Sequence, residues 1–362
     1  MMDERAFEVE VDGPDADERR SRGGRAARIP DIARLAGAST ATVDRVLNRR
    51  PGVRPATIQR VLKAAAELDY LPDEELVGAG LKPLRLVFVL PAGTNRFLSM
   101  LGQMIKGAQN QLAAMNVRCQ VETIRSFNPE LLAQSLRQHG RRADGVAFMA
   151  LEHPAVREAV NGLADQRKPT VTLISDIASS RRVAYVGLDN RSVGRTAGYL
   201  MARLIKTPGK VAMIAGSLSY RAHEEREMGF LHIFEEMYPE FEVVGLREGH
   251  DDENKNYRQT KMLLARHPDL AGIYNIGGGP EGVARALKEA RREQEIVFIG
   301  HGLTGETRAL LIDGAMDAVI TQNPQAAMMS CVNVFANLRA GRDPLHGVDP
   351  PRTEVFFREN LP

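Results

Sequence analysis

The chain has 362 residues, of which 43% are hydrophobic and 26% are charged. These proportions lie near globular averages, and they exclude a wholly disordered chain, a collagen-like fibre and a disulfide-rich miniprotein. Apolar stretches such as residues 84–92 are too short to cross a membrane, and the two cysteines provide neither a metal-binding spacing nor a disulfide framework. We therefore expect a soluble cytoplasmic protein of two or three domains, with no cofactor or metal.

The net charge of +2 is distributed unevenly along the chain. Residues 19–63 contain twelve lysines and arginines but only two acids, which gives this segment a net charge of +10 and leaves −8 for the remainder. Such an asymmetry indicates a small polyanion-binding module joined to an acidic body. The alternative is a solvated arginine-rich face with no partner.

Three short helices are predicted after an unusual N-terminus. Residues 1–27 contain few large apolar residues and no apolar segment typical of a secretory signal, so they are predicted to form a disordered tail. Prolines at positions 30 and 55 suit helix starts, Ser39 suits an N-cap, and a glycine turn at position 37 separates the first two helices. This pattern predicts a helix-turn-helix domain over residues 28–72. The predicted inward-facing residues of its first two helices are Ile32, Leu35, Ala36, Val43, Val46 and Leu47.

The second helix carries the candidate DNA contacts, because in a helix-turn-helix domain this helix lies in the major groove. Arg45 can bond to guanine or phosphate, the methyl groups of Thr40 and Ala41 can meet a thymine methyl, and the carboxylate of Asp44 can accept from cytosine. A generic three-helix interaction module is the alternative. The full set of predicted DNA contacts is Ser39, Thr40, Ala41, Thr42, Asp44, Arg45, Asn48, Arg49, Arg50 and Arg54.

Residues 29–48, together with Pro51-Gly52-Val53 and the segment from Leu68 to Pro72, resemble the headpiece of the LacI/GalR family of bacterial regulators. The chain departs from the family pattern at three positions. Arg28 and Arg54 stand where a threonine or serine often caps a helix, and Asp44 replaces a common serine. The resemblance implies double-stranded operator DNA as the partner of this domain.

A hinge or linker is predicted over residues 73–83, which contain two acids, two glycines and a closing proline. The resemblance implies a hinge in which a leucine enters the minor groove and kinks the duplex. Leu76 and Leu81 are the candidates for this leucine. The family's arginine is missing from the segment, so we expect this hinge to kink DNA less than the hinges of relatives do.

Beyond the hinge, short apolar strands alternate with amphipathic helices, which predicts parallel sheets in two lobes over residues 84–362. Predicted strands span residues 84–90, 117–124, 145–150, 170–174, 185–188, 210–215, 241–246, 272–276, 296–300, 318–321 and 353–357. This region resembles the family's effector domain, most specifically at Asp189-Asn190-x-x-x-Gly194 and Arg226-x-x-Gly229-Phe230. The resemblance implies a periplasmic-binding-protein-like fold, in which two Rossmann-like lobes close over a small polar ligand.

The resemblance also places candidate effector contacts at the ends of strands. The position after Gly300-His301, often an acid in this fold, is Gly302 here, so hydroxyl recognition at this point is weakened or taken over by His301. Each candidate is equally compatible with an ordinary polar loop residue. The candidates are Asn95, Phe97, Asp176, Arg226, Asn275, His301 and Gln322.

Motifs of catalysis and nucleotide binding do not fit the sequence. The run Gly277-Gly278-Gly279-Pro280 lacks both the spacing of a dinucleotide site and the lysine of a P-loop, so a ligand-facing turn is the preferred interpretation. The histidines form no HExxH pair and no serine lies in a GxSxG elbow. An enzyme with a basic arm is the alternative hypothesis, and a transport receptor would require export.

These observations favour a regulator, most simply a repressor, whose operator binding is controlled by a sugar or polyol held between two lobes. The resemblance implies a homodimer, with a tetramer as a further possibility, in which each headpiece contacts one half of a near-palindromic operator. No membrane partner is expected.

Overall fold

The computed structural model describes residues 28–48, 50–68, 70, 82–125 and 127–362. The chain divides into two compact units, residues 1–82 and residues 83–362, which are treated separately below. The predicted tail over residues 1–27, the predicted DNA contact Arg49, and the predicted hinge leucines Leu76 and Leu81 lie outside the described residues.

The first unit contains three helices, each placed by the signals seen in the sequence. The Oγ atom of Ser39 accepts from the backbone N–H of Thr42 at 3.1 Å and caps the second helix. Gly37 adopts a left-handed conformation with φ 58°, which makes the tight turn between the first two helices. Arg28 forms no side-chain cap, but Asp31 accepts from the Arg28 backbone N–H at 3.1 Å. The helices are α1 (Ile29–Ala36), α2 (Thr40–Leu47) and α3 (Pro55–Glu67).

A small apolar core holds these helices together. Its buried members are Ile32, Ala33, Ala36, Val43, Val46, Val61, Ala64 and Ala65. The sequence-based assignment of Leu35 to this core is wrong, because the Leu35 side chain is 51% exposed. At 3.6 residues per turn, Leu35 projects about 100° away from the stripe formed by Ile32, Ala33 and Ala36.

The second unit contains two sheets, as predicted. The first sheet has the strand order β2-β1-β3-β4-β5 and is parallel throughout, whereas the second has the order β11-β10-β9-β8-β6-β7 with β11 antiparallel. Every strand predicted from the sequence is confirmed to within two residues at each end. The strands are β1 (Leu84–Ala92), β2 (Val117–Arg125), β3 (Gly145–Phe148), β4 (Thr170–Leu173), β5 (Ala184–Val186), β6 (Lys210–Ala215), β7 (Glu242–Glu248), β8 (Leu270–Asn275), β9 (Val297–His301), β10 (Ala318–Thr321) and β11 (Glu354–Phe356).

Helices cover both faces of the sheets, which explains why the strands are continuous apolar runs. In the second sheet, alternate residues of one strand face different cores: Met213 joins one apolar cluster and Ile214 joins the other. The helices are α4 (Arg96–Gly107), α5 (Gln109–Ala114), α6 (Pro129–Gly140), α7 (Pro154–Asp165), α8 (Asn190–Leu204), α9 (Arg221–Met237), α10 (Glu253–Arg266), α11 (Pro280–Glu289), α12 (Gly305–Ile312) and α13 (Pro324–Arg339). Within the part of the chain that the structure describes, none of these helices has the length and apolarity needed to cross a membrane.

The two lobes are not continuous in sequence. Helix α13 follows the second-lobe strand β10, yet its residues Met328, Cys331, Val332 and Phe335 belong to the apolar core of the first lobe. Phe335 packs directly on Gly145 of β3, where an added Cβ would come within 2.4 Å of the ring. The first lobe is therefore completed by a segment that lies after almost all of the second lobe in sequence.

Candidate functional site

A cavity of about 710 Å³ lies between the two lobes of the second unit. The first lobe contributes the start of α4, with Asn95 and Phe97, and the second lobe contributes the loops after β8, β9 and β10. These loops follow the carboxyl ends of parallel strands, which is where ligands bind in open α/β sheets. The volume suits a small molecule.

Five of the seven candidate effector contacts line this cavity. They are Asn95, Phe97, Arg226, His301 and Gln322. Asp176 is not among the lining residues; its carboxylate forms an ion pair with Arg182 and accepts from the Thr172 hydroxyl at 2.6 Å. Asn275 does not line the cavity either, since its Nδ2 donates to the carbonyl oxygens of Gly277 and Gly278 at 3.1 and 3.2 Å. The expectation that Asp176 and Asn275 contact the effector therefore differs from where the structure places them.

Arg226 is the most buried cation of the cavity. Its side chain projects from α9 and is held by Asn190, whose Oδ1 accepts from Nε at 2.8 Å, and by the carbonyl oxygen of Ile276, which accepts from Nη1 at 3.1 Å. Burial lowers the pKa of the Arg226 guanidinium. Asn190, which the sequence assigned to a lobe crossover, therefore also orients the principal cation of the site.

Two glycines allow α8 and α9 to approach closely enough for this contact. A Cβ added at Gly194 would lie 2.0 Å from the backbone oxygen of Arg226, and one added at Gly229 would lie 2.0 Å from the backbone oxygen of Arg191. No side chain larger than hydrogen fits at either position without a shift of backbone. The spacing of the asparagine, the arginine and the two glycines thus corresponds to one packed helix pair that carries Arg226 into the cavity.

Two buried histidines also line the cavity. Nδ1 of His223 lies 3.2 Å from the backbone nitrogen of Ser217, and Nε2 of His301 lies 2.6 Å from the hydroxyl of Tyr274. Burial lowers the pKa of both imidazoles, to about 4 for His223. Both rings are therefore neutral at pH 7.

These histidines predict an acid sensitivity of folding. Unfolding raises their pKa to the ordinary value near 6.5, so between about pH 6.5 and pH 4 the unfolded chain binds protons that the folded chain does not. Stability is then greatest above pH 6.5, and it falls by about 1.4 kcal/mol per pH unit for each histidine as the pH decreases through this window. We expect H223N to reduce this slope in urea unfolding measured at several pH values.

The matched control is the exposed His346. H346N should leave the slope unchanged. Equal slopes for H223N and the parent chain would contradict the assignment of a neutral, buried His223.

Asp251 joins the two lobes beside the cavity, and no sequence motif pointed to it. Its Oδ1 accepts from the backbone N–H of Gly278 at 2.6 Å, and its Oδ2 accepts from Nδ2 of Asn95 at 3.1 Å. The hydroxyl of Thr94 donates to its backbone oxygen. Asn95 also accepts from the backbone N–H of Leu98 at 3.3 Å, so its amide caps α4 and bridges the lobes.

Acidic and basic groups at the more exposed part of the cavity were also missed. Glu306 accepts from Nε of Arg96 at 3.3 Å, which forms a second ion pair between the lobes. Glu281 lies in the first turn of α11, and burial raises the pKa of its carboxyl. The triple-glycine run before α11 marked this region in the sequence as a ligand-facing turn, and the cavity lining includes all three glycines.

The first unit presents the predicted DNA contacts on α2 and its flanks. Thr40, Ala41 and Arg45 are exposed, as are Asn48, Arg50 and Arg54, whereas Thr42 is half-buried and Ser39 is used as the helix cap. Asp44 accepts from Nδ2 of Asn48 at 2.8 Å and from Nη1 of Arg50 at 3.3 Å. These two donors reduce the repulsion that a free carboxylate would exert on DNA phosphates.

The fold and the cavity define a class of protein: a two-lobed domain with a small-molecule cleft, preceded in the chain by a helix-turn-helix domain. Residues 86–343 match the family described as "Periplasmic binding protein domain", and residues 28–73 match "Bacterial regulatory proteins, lacI family". The chain belongs to the periplasmic binding protein domain family, and its N-terminal unit carries the DNA-binding domain of the lacI family.

Similar proteins of known name include regulators. The HTH-type transcriptional repressor PurR of Vibrio vulnificus (strain CMCP6) is 27% identical over 216 residues, which cover 58% of this chain and 61% of that protein. Catabolite control protein A of Priestia megaterium is 25% identical over 291 residues, which cover 80% of this chain and 77% of that protein. The match to PurR thus spans about three fifths of the length of that repressor.

Solved structures with the same two-lobed fold are sugar-binding proteins. GanP, a glucose-galactose binding protein from Geobacillus stearothermophilus, has a TM-score of 0.69 at 26% identity and covers 77% of this chain and 99% of its own. A periplasmic solute binding protein from Actinobacillus succinogenes 130z, solved with bound D-allose, has a TM-score of 0.69 at 18% identity and covers 77% of this chain and 98% of its own. These matches confirm the predicted fold of the second unit.

Proposed function

We propose that the chain is a transcriptional repressor that binds operator DNA through α2 and responds to a sugar-like or polyol effector held in the cavity between its lobes. The observation that carries the proposal is the outer face of α2, where Thr40, Ala41 and Arg45 are exposed together. This face belongs to a segment, residues 19–63, with a net charge of +10. Exposed groups on a basic helix-turn-helix domain are suited to base edges and phosphates.

The relatives and the cavity support the two halves of this proposal. The PurR relative is named a transcriptional repressor, and the structural neighbours are named for sugars. The cavity offers Arg226, Gln322 and neutral histidines as hydrogen-bonding groups, and Phe97 as an apolar wall. Neither half of the proposal requires catalysis, a cofactor or a membrane.

Control by the effector requires that its affinity differ between the DNA-competent conformation and the other one. In our proposal the protein acts in the cytoplasm as a homodimer, and each headpiece contacts one half of a near-palindromic operator. Such half-sites are separated by whole turns of the duplex, which places both α2 helices in major grooves on one side of the DNA.

The experiment that tests the proposal selects duplexes from a random-sequence library and measures their affinity by fluorescence anisotropy at fixed salt. We expect Arg45→Ala to weaken binding to the selected operator by about 10-fold to 100-fold, because a guanidinium that bonds to a base edge contributes about 1–3 kcal/mol of discrimination. Binding to a random duplex should weaken much less.

Arg60→Ala is the matched control, since Arg60 is exposed on α3 rather than α2. It removes the same charge, and we expect less than about a threefold loss that diminishes at higher salt. Equal losses for the two variants would contradict the assignment of α2 as the recognition helix. Failure to select any sequence would contradict the proposed function itself.

A further inference from the structure

The inner part of the cavity holds a cation without a counter-ion. The Arg226 side chain is buried, with the residue only 8% exposed, and its observed hydrogen bonds go to two neutral acceptors, Oδ1 of Asn190 and the carbonyl oxygen of Ile276. Within the described ranges, no carboxylate oxygen lies within 4.0 Å of this guanidinium. A buried charge that lacks an opposite charge is costly to keep in a folded protein.

The acids around the cavity are committed elsewhere. Asp176 is paired with Arg182, Glu306 with Arg96, and Asp251 uses its two carboxylate oxygens on Asn95 and the backbone of Gly278. The position at which an acid was expected is Gly302, and Phe97 packs so closely on it that an added Cβ would lie 3.0 Å from the Phe97 Cβ. The remaining acid of the lining, Glu281, is half-exposed, whereas Arg226 is buried.

The other groups near Arg226 are polar but neutral. Gln322 is 5% exposed, and its Oε1 has no hydrogen-bond partner in the described part of the chain. His223 and His301 are neutral at pH 7 because burial lowers the pKa of both. The inner cavity therefore provides one strong cationic donor together with neutral groups suited to hydroxyls.

We propose that the effector carries an oxyanion, a carboxylate or a phosphate on a small hydroxylated skeleton, and that this oxyanion bonds to Arg226. The proposal rests on the proposed function, because it names the chemistry of the effector for the same cavity. A guanidinium bonds to carboxylate and phosphate through two parallel N–H groups, and such charge-assisted bonds are about twice as strong as neutral ones. The bound oxyanion supplies the counter-ion that Arg226 lacks within the protein.

The first arm of the test uses simple anions and does not require the effector to be known. The full-length chain is titrated with sodium phosphate or sodium acetate at constant ionic strength, with chloride as the reference, and the melting temperature is recorded. We expect phosphate or acetate to raise the melting temperature of the parent chain above the chloride reference. We expect no such rise in Arg226→Gln, and a partial rise in Arg226→Lys, which retains the charge.

Arg195→Gln is the matched control, because Arg195 is exposed on α8 in an ion pair with Glu236. It removes one positive charge outside the cavity and should respond to anions as the parent does. Identical responses of the parent, Arg226→Gln and Arg195→Gln would overturn the proposal. If Arg226→Gln fails to fold, the comparison of Arg226→Lys with the parent decides the same question.

The second arm distinguishes the two sources of the oxyanion by calorimetry with matched compounds: D-galactose, D-galactonate and D-galactose 6-phosphate, and the same series for D-glucose. We expect the acid or the phosphate to bind about 10-fold to 100-fold more tightly than its neutral parent sugar, as loss of hydrogen bonds to a charged group predicts. Tighter binding of a neutral sugar would overturn the proposal. Operator selection is measured separately, so sequence-specific DNA binding without an anion response rejects this proposal alone, whereas an anion response without operator binding rejects only the repressor function.

Discussion

Replacing Gly194 with alanine is expected to lower the free energy of unfolding of the second unit by about 3 kcal/mol, the upper part of the usual range for overpacking. The added methyl group would lie 2.0 Å from the backbone oxygen of Arg226. A backbone carbonyl in the middle of a helix cannot rotate away as a flexible side chain can, so α8 and α9 must separate. The separation also displaces Arg226 from Asn190 and should weaken effector binding.

Urea unfolding followed by circular dichroism measures this loss, and Gly162 offers a matched control in another helix. A Cβ at Gly162 would have no atom within 4 Å. Gly162→Ala should therefore stabilise the protein by about 0.5–1 kcal/mol, because alanine loses less backbone entropy in a helix. A Gly194→Ala variant that gained stability like Gly162→Ala would show that the helix pair tolerates the methyl group.

Removing the Asp251 carboxylate is the second change for which we expect a large effect. Asp251→Ala leaves the backbone N–H of Gly278 and Nδ2 of Asn95 without their acceptor, and hydrogen bonds to charged groups are each worth about 1.5–3 kcal/mol. Asp251 also has a positive φ of 55°, which alanine tolerates less well than aspartate. We expect a loss of about 3 kcal/mol in the free energy of unfolding.

Asp251→Asn separates the charge of this residue from its geometry. The amide keeps one acceptor oxygen, so its loss of stability should lie between those of the parent and the alanine variant. Asp165→Ala is the control, since Asp165 is an exposed acid that pairs only with Arg181. If Asp251→Ala unfolds like Asp165→Ala, Asp251 does not hold the two lobes together.

The strands were predictable because their burial leaves a strong pattern in the sequence. A parallel strand covered on both faces, such as β6 with Val211, Ala212, Met213 and Ile214 all buried, is a continuous apolar run bounded by polar residues. The assignment of α13 to the first lobe was not predictable in this way. An apolar helix face shows that a helix is buried, but not which of two sheets it covers.

The candidate site was predictable in position but not in its contacts. Strand ends located both Arg226 and Asp176, yet only Arg226 lines the cavity, because Arg182 holds Asp176 through an ion pair that strand patterns do not show. Asp251 contacts Asn95, which lies 156 residues earlier in the chain. A single sequence contains no local signal for such a pair, so long-range polar contacts have to come from the fold.

The return of α13 to the first lobe constrains the order in which the chain can fold during synthesis. A ribosome releases residues 84–188 well before α13, so when these residues emerge the surface of β3 that Phe335 covers is still open at Gly145. The strands β6 to β10 of the second lobe, by contrast, emerge as one uninterrupted stretch. Vectorial synthesis therefore allows the second lobe to consolidate first, and the first lobe closes only when Met328, Cys331 and Phe335 dock onto a sheet made some 180 residues earlier.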